Sequence, residues 1–178
     1  MKTWIALLRG INVGGRNRLP MASLSKLFTQ AGCARVRTYI QSGNVVFKAD
    51  ISSRTSFAES IGHAIEQEHG FRPAIVLLTR DSLRSAIAAN PYPETEPKSL
   101  HIFFLESIPE KAQVQDAKAL LADSESIQVV GRHLFLRAPD GIGRSRFVKG
   151  VEKTLGMRAT ARNWKTVSKL VELANDDD

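Results

Sequence analysis

Short apolar runs, helical stripes and alternating stretches follow one another along this chain, and they do so twice in the same order. Trp4–Leu8 is a continuous apolar run, the pattern of a buried strand. Met21, Leu24, Leu27/Phe28 and Ala31 then recur at helical spacing, and Gly32 marks the stop. Arg35–Gln41 alternates, with Val36, Thr38 and Ile40 on one face and Arg35, Arg37, Tyr39 and Gln41 on the other, which predicts a half-buried strand. Ser42-Gly43 supplies a turn, and Asn44–Lys48 returns as its hairpin partner. Phe57, Ile61 and Ala64/Ile65 stripe a second helix. Ala74–Leu78 reads as another buried strand. Thr79 or Asp81 can cap a third helix that carries Leu83 and Ile87.

Pro91-Tyr-Pro-Glu-Thr-Glu-Pro-Lys98 interrupts the pattern, and three prolines in eight residues read as a linker. The order then restarts. Leu100–Leu105 is a strand. Ser107-Ile-Pro-Glu110 has capping-box spacing, and Ala117 with Leu120/Leu121 follows on a helix. Ile127–Val130 and His133–Arg137 flank Gly131 as a second hairpin. Phe147, Val151 and Leu155 stripe a helix, Arg158–Ala161 is a short strand, and Asn163 can cap a last helix carrying Trp164, Val167 and Val171.

Both halves therefore read β-α-β-β-α-β with a trailing helix, an α+β fold of two related ferredoxin-like units in tandem. The division expected is residues 1–90, a linker at 91–98, and residues 99–178 with an acidic tail. Each hairpin has Gly at the bend and Phe four residues later, so Phe47 and Phe135 are expected as equivalent core residues, as after an internal duplication. One difference stands out. About eleven residues separate the first strand from the first helix in the first unit, and about three in the second. A loop longer than its topology requires is more often functional than an economical one.

Composition sharpens the picture. Hydrophobic residues make up 43% of the 178, enough to bury a core. The run Trp4–Leu8 is too short for a signal-peptide core or a membrane span, and Cys33, the one cysteine, permits no internal disulfide. The expectation is a cytoplasmic protein that does not enter a membrane. Net charge is +7, and it is unevenly placed. The first 49 residues hold eight Lys or Arg and no Asp or Glu, while residues 126–169 hold ten basic and two acidic side chains. Two basic blocks flank an acidic one, which suits an anionic partner.

Three strings carry a resemblance: Ala6-Leu-Leu-Arg-Gly-Ile-Asn-Val-Gly-Gly15, Tyr39-Ile-Gln-Ser-Gly-Asn-Val-Val-Phe47 and Thr160-Ala-Arg-Asn-Trp164. The chain resembles, from Trp4 to Leu170, a bacterial family known as a domain of unknown function, number 1697. The resemblance implies an α+β protein of two related halves; it implies no substrate. Where the family usually has Asn after Arg-Asn-Trp, this chain has Lys165.

The candidate chemistry centres on the long loop, Arg9-Gly-Ile-Asn-Val-Gly-Gly-Arg-Asn-Arg18. Gly10, Gly14 and Gly15 let backbone approach a ligand, Asn12 and Asn17 offer amides, and Arg9, Arg16 and Arg18 offer guanidinium forks for phosphate or carboxylate. The loop leads toward a helix N-terminus, where free N–H groups favour anions. Its spacing matches neither a Walker A motif nor Gly-x-Gly-x-x-Gly. Arg35, Arg37, Tyr39 and Gln41 would make a second basic face, although Tyr39 is its one aromatic. Arg146/Lys149/Lys153 and Arg162/Lys165/Lys169 are basic helix edges of the kind that is most often simply solvated. His63, His69, His101 and His133 lack metal-ligand spacing, no motif implies a cofactor, and no nucleophile sits in a recognisable triad context.

The favoured reading is an anion-binding protein for nucleic acid or a nucleotide, with Arg9, Asn12, Gly14, Gly15, Arg16, Arg35, Arg37, Asn44 and Arg162 as ligand-binding positions. Two alternatives remain at this point. One is an enzyme acting on a phosphorylated or carboxylated small molecule in a cleft between the units. The other is an interaction module for an acidic protein partner.

Overall fold

The computed structural model describes residues 1–176, so the expected acidic tail at Asp177 and Asp178 lies outside the described residues. The first set of elements is β1 (Lys2–Leu8), α1 (Met21–Gln30), β2 (Ala34–Tyr39), β3 (Asn44–Ala49), α2 (Arg54–His69), β4 (Ile75–Thr79) and α3 (Arg80–Ala88). The second is β5 (Leu100–Leu105), α4 (Lys111–Lys118), β6 (Ser126–Val130), β7 (His133–Arg137), α5 (Arg146–Leu155), β8 (Ala159–Asn163) and α6 (Trp164–Asn175). Each set builds one four-stranded antiparallel sheet, in the orders β2-β3-β1-β4 and β6-β7-β5-β8. These are two ferredoxin-like sheets with the same strand order, and the fold is α+β.

The chain divides into two compact units. One is Met1–Arg84 together with the stretch from Lys169 onward; the other is Ser85–Ser168. The boundaries fall inside α3 and α6, and the proline-rich residues 91–98 lie within the second unit as a series of turns.

In the first unit, alternation along each strand sends Trp4, Ala6 and Leu8 of β1 and Val45 and Phe47 of β3 to the face covered by α1 and α2. Phe28 and Phe57 from those helices meet Phe47 with ring centroids 4.9 and 5.6 Å away. The opposite face carries Ile5, Leu7 and Val46, also fully buried. The end of α6 reaches β2, where the Arg37 guanidinium donates to the Leu173 carbonyl.

In the second unit, Phe103, Leu105, Leu134 and Leu136 form the core with Ala117 of α4 and Phe147, Val151 and Leu155 of α5. Phe135 is as buried as Phe47, but it pairs across with Ile102 and so points to the other face of its sheet. The expected equivalence of these two residues is therefore corrected. Phe47 is the fourth residue of β3 and Phe135 the third of β7, and a single step along a strand reverses the face.

Caps differ in detail from expectation. Thr79 Oγ1 accepts from the Ser82 N–H and Asn163 Oδ1 from the Thr166 N–H, so both cap as anticipated. Glu110, not Ser107, caps α4, in a reciprocal box with Gln113. Helix α4 ends at Lys118, and Leu120 and Leu121 sit in the turns that follow.

Two outcomes are expected. Phe47→Ala and Phe135→Ala should each cost about 3–5 kcal/mol in urea unfolding, because each empties a fully buried ring site; a shift near zero would place them at the surface. Burial also holds the His101 and His133 imidazoles below their ordinary 6.5, with Arg132 adding to the effect at His133. The unfolded chain binds protons there that the folded chain does not. Stability is then full above about pH 6.5 and falls as pH drops through that value toward the lower folded values. His101→Leu should flatten the loss measured between pH 7 and 5.

Candidate functional site

The long connection between β1 and α1 is a stapled hairpin whose two feet are buried. Ile11 and Leu19 are both almost fully enclosed and anchor the ends of the excursion. Between them, the Asn12 N–H donates to the Asn17 carbonyl at 3.0 Å, and Val13 bridges to Arg16. Gly14 and Gly15 form the tip with φ of +58° and +76°. A two-residue turn of this hand needs positive φ at both central positions, which is why glycine fills both.

Side-chain amides lock this hairpin in place. Asn12 Oδ1 accepts from the Leu19 N–H at 2.8 Å, while its Nδ2 donates to the carbonyls of Leu19 (2.9 Å) and Gln41 (2.8 Å). Asn17 Nδ2 donates to the Gly10 carbonyl at 2.9 Å. Asn12 and Asn17 themselves sit at φ of +53° and +51°, a region that asparagine tolerates better than most residues.

The second half of the site is the turn between β2 and β3, residues 40–43. It is longer than its counterpart in the second unit, where two residues, 131 and 132, join β6 to β7. The Gly43 carbonyl accepts from the Leu8 N–H at 2.7 Å. A Cβ on Gly43 would lie 2.7 Å from Leu8 Cβ and 2.8 Å from Ile11 Cδ1, so only glycine fits here. Asn44 is fully buried, and its Nδ2 donates to the Tyr39 carbonyl and the Ser42 hydroxyl. Both excess loops of the first unit thus lie at one end of its sheet, joined by Asn12 and Gly43.

This turn also holds a residue that sequence reasoning misplaced. Ile40 was expected on the buried face of a strand running to Gln41. The strand ends at Tyr39, and Ile40 takes φ of +48° with half of its surface exposed. A β-branched residue in the left-handed region is strained by about 1–3 kcal/mol. Val13, in the hairpin that the Asn12–Gln41 bond ties to this turn, is 66% exposed.

The structure brings Arg9, Asn12, Gly14, Gly15, Arg16 and Asn44 to this end of the first unit. Arg9, Arg16 and Arg18 are exposed, and the Arg9 N–H is tied to the Ala74 carbonyl at 2.9 Å. Asn12 and Asn44 spend their amides on the backbone, so they shape the site rather than face outward. Arg37 is half-buried on β2, bonded to Leu173 and 4.0 Å from the Asp176 carboxylate. Arg35 lies at the far end of β2, exposed, with φ of +50° where the pairing to β3 shifts register. Arg162 belongs to the second unit. It donates to the Ala161 carbonyl, and burial pushes its guanidinium down to about 10.

Sequence reasoning passed over one other feature, in the second unit. A hollow of about 500 Å³ is lined by Asp140, Gly141, Gly143, Arg144, Ser145 and neighbours at the start of α5. Ser145 Oγ accepts from the Val148 N–H as the helix cap, and Asp140 accepts from the Ser124 hydroxyl at 2.6 Å. The string Asp140-Gly-Ile-Gly-Arg-Ser145 has the same mix of glycine and arginine as the first loop, a signal that was available. Among the described residues, no three His, Cys, Asp or Glu side chains group as a metal site. Burial raises the Cys33 thiol to about 11, so it is no ready nucleophile. No described helix is long and apolar enough to cross a membrane.

These features can be set beside known proteins. The family described as Protein of unknown function (DUF1697) matches residues 1–135, and the chain belongs to it. That match contains the hairpin, the 40–43 turn and β1 to β6, and ends within β7, so both excess loops lie within the family's own region. Among solved structures, the conserved bacterial protein SP0830 from Streptococcus pneumoniae is similar over 97% of this chain and 98% of its own, with a TM-score of 0.72 and 22% identity. That likeness supports the fold. A chain provisionally described as a glycine cleavage system transcriptional repressor aligns over 90% and 96% at 13% identity, but its TM-score of 0.25 carries no argument. No curated protein matches this chain.

The staple makes a measurable prediction. Asn12→Ala should destabilise the fold by about 1–3 kcal/mol, since it strips partners from backbone groups of the enclosed Leu19. Asn17→Ala, whose single bond is exposed, should cost clearly less in the same urea titration.

Proposed function

We propose that this protein binds nucleic acid, using the Arg9–Arg18 hairpin of the first unit as its main contact. The observation that carries this reading is a rigid loop that presents Arg9, Arg16 and Arg18 to solvent in a segment of 49 residues without one acidic side chain. A pre-formed loop loses little entropy on binding, and guanidinium groups bond phosphate oxygens in pairs. Because the three arginines are exposed, the arrangement suits an extended polyanion better than a small enclosed ligand. In this reading the protein works in the cytoplasm, and its two units arose by duplication, after which the first gained the hairpin. The shared strand order and the single buried cysteine support those two points.

The test is the salt dependence of oligonucleotide binding, followed by fluorescence anisotropy. With about five basic side chains on phosphates, log K should fall against log salt with a slope of roughly −3.5 for a single strand and −4.5 for a duplex. Arg16→Ala combined with Arg18→Ala should reduce the slope by about 1.5. The same pair should leave the melting temperature almost unchanged, since exposed substitutions usually stay within about 0.5 kcal/mol. Absence of binding at low salt, or affinity indifferent to salt, would overturn the reading. Binding of inorganic phosphate or a mononucleotide in place of the oligomer would favour a small phosphorylated ligand instead.

A further inference from the structure

The turn at residues 40–43 is over-determined everywhere except at the side chain that costs most. The carbonyls of Tyr39 and Gln41 and the hydroxyl of Ser42 are held by Asn44 and Asn12, and Gly43 is wedged against Leu8 and Ile11. Those contacts force Ile40 into the left-handed region. Asparagine or glycine would sit there with far less strain, and half of the Ile40 side chain reaches solvent, so little burial offsets the penalty. Strained residues of this kind persist where the surroundings impose them, and they cluster at binding sites.

The neighbourhood indicates what such an apolar group would meet. Ile40 and Val13 are two of the exposed large hydrophobic residues of the molecule. They adjoin in sequence the two residues, Gln41 and Asn12, that are hydrogen-bonded to each other across the end of the sheet. Arg16 and Arg18 lie on the hairpin of Val13 and Arg9 just before its first buried foot, all three exposed. A ligand for this end must therefore offer negative charges and apolar flat surface at close intervals. A nucleic-acid single strand does so, with phosphates along its backbone and base faces free to pack. A duplex keeps those base faces stacked inside, and apolar side chains reach them only by prying a step apart.

We propose that Ile40, with Val13 of the hairpin bonded to its turn, is the base-contacting surface of a single-strand binding site whose phosphates lie on Arg9, Arg16 and Arg18. The proposal rests on the nucleic-acid reading of the hairpin above and adds to it the strand state of the ligand and the residue that selects it. Ile40 is half exposed and sits at positive φ, so its function and its cost separate in one substitution.

The experiment compares the full chain with its Ile40→Gly, Ile40→Asn and Ile40→Val variants. A 12-mer of oligothymidine and a 12-base-pair duplex are the probes. Glycine and asparagine should raise the melting temperature by relieving the strained backbone. They should weaken oligothymidine binding about five- to tenfold while leaving the salt slope unchanged, because no phosphate contact is lost. Duplex affinity should move by less than about twofold, and valine should keep single-strand affinity near the parent's. The proposal is overturned if Ile40→Gly and Ile40→Asn gain stability with oligothymidine affinity intact. It is also overturned if the loss is equal on duplex and single strand, or if the variants lose instead affinity for vesicles containing phosphatidylserine that the parent binds. In the first of these cases a salt-dependent parent would leave the hairpin reading standing; a parent that binds no oligonucleotide would remove both.

Discussion

The side-chain amide of Asn12 does the organising at the loop-bearing end of the first unit's sheet. One residue satisfies three backbone groups: the N–H and carbonyl of Leu19 and the carbonyl of Gln41. The first two close the twelve-residue excursion on itself, and the third ties it to a separate turn. Without that link the hairpin would be a long polar loop hanging from two apolar feet. With it, Arg9 and Arg18, nine positions apart in sequence, flank one closed loop. A loop held this way costs little to order on binding, which is what separates a presented site from a merely basic segment.

The two units differ at corresponding connections. Their sheets share a strand order, but the first carries extra chain at two connections that meet at one end, while the second closes the same connections with five and two residues. Gly43 is where the longer turn meets the core: Leu8 and Ile11 leave no space for a Cβ. The close approach lets the turn sit flush on the end of β1, and it leaves Ile40 in a conformation that no helix or strand would give it. Local strain and a tight glycine contact are two sides of one packing decision.

Much of this was legible in the sequence, because it depends on periodicity. The continuous run of β1, the stripes of α1, α2 and α5, and the caps at Thr79 and Asn163 follow from side-chain spacing and hydrogen-bonding capacity alone. What was not legible depends on where chain segments meet. Ile40 fits the alternation of β2 perfectly well; it leaves the strand because Asn44 captures the Tyr39 carbonyl and Gly43 must reach Leu8. Phe135 was assigned the wrong face because the bend in the second hairpin ends one residue later relative to its glycine. Arg37 looked like part of an open basic face, and only the position of α6 reveals the Leu173 carbonyl it serves. The glycine-arginine string before α5 is readable in the sequence, but no loop longer than its topology requires marks it out.

The bond between Arg37 and Leu173 joins residues 136 positions apart. It has a consequence for the order in which the chain can mature on the ribosome. Domains ordinarily fold as they emerge, the N-terminal one first. Here the stretch from Lys169 belongs with Met1–Arg84, while Ser85–Ser168 is contiguous. The first unit therefore cannot be completed until the end of α6 has been translated, after the whole of Ser85–Ser168. The half that is translated first is the half that is completed last.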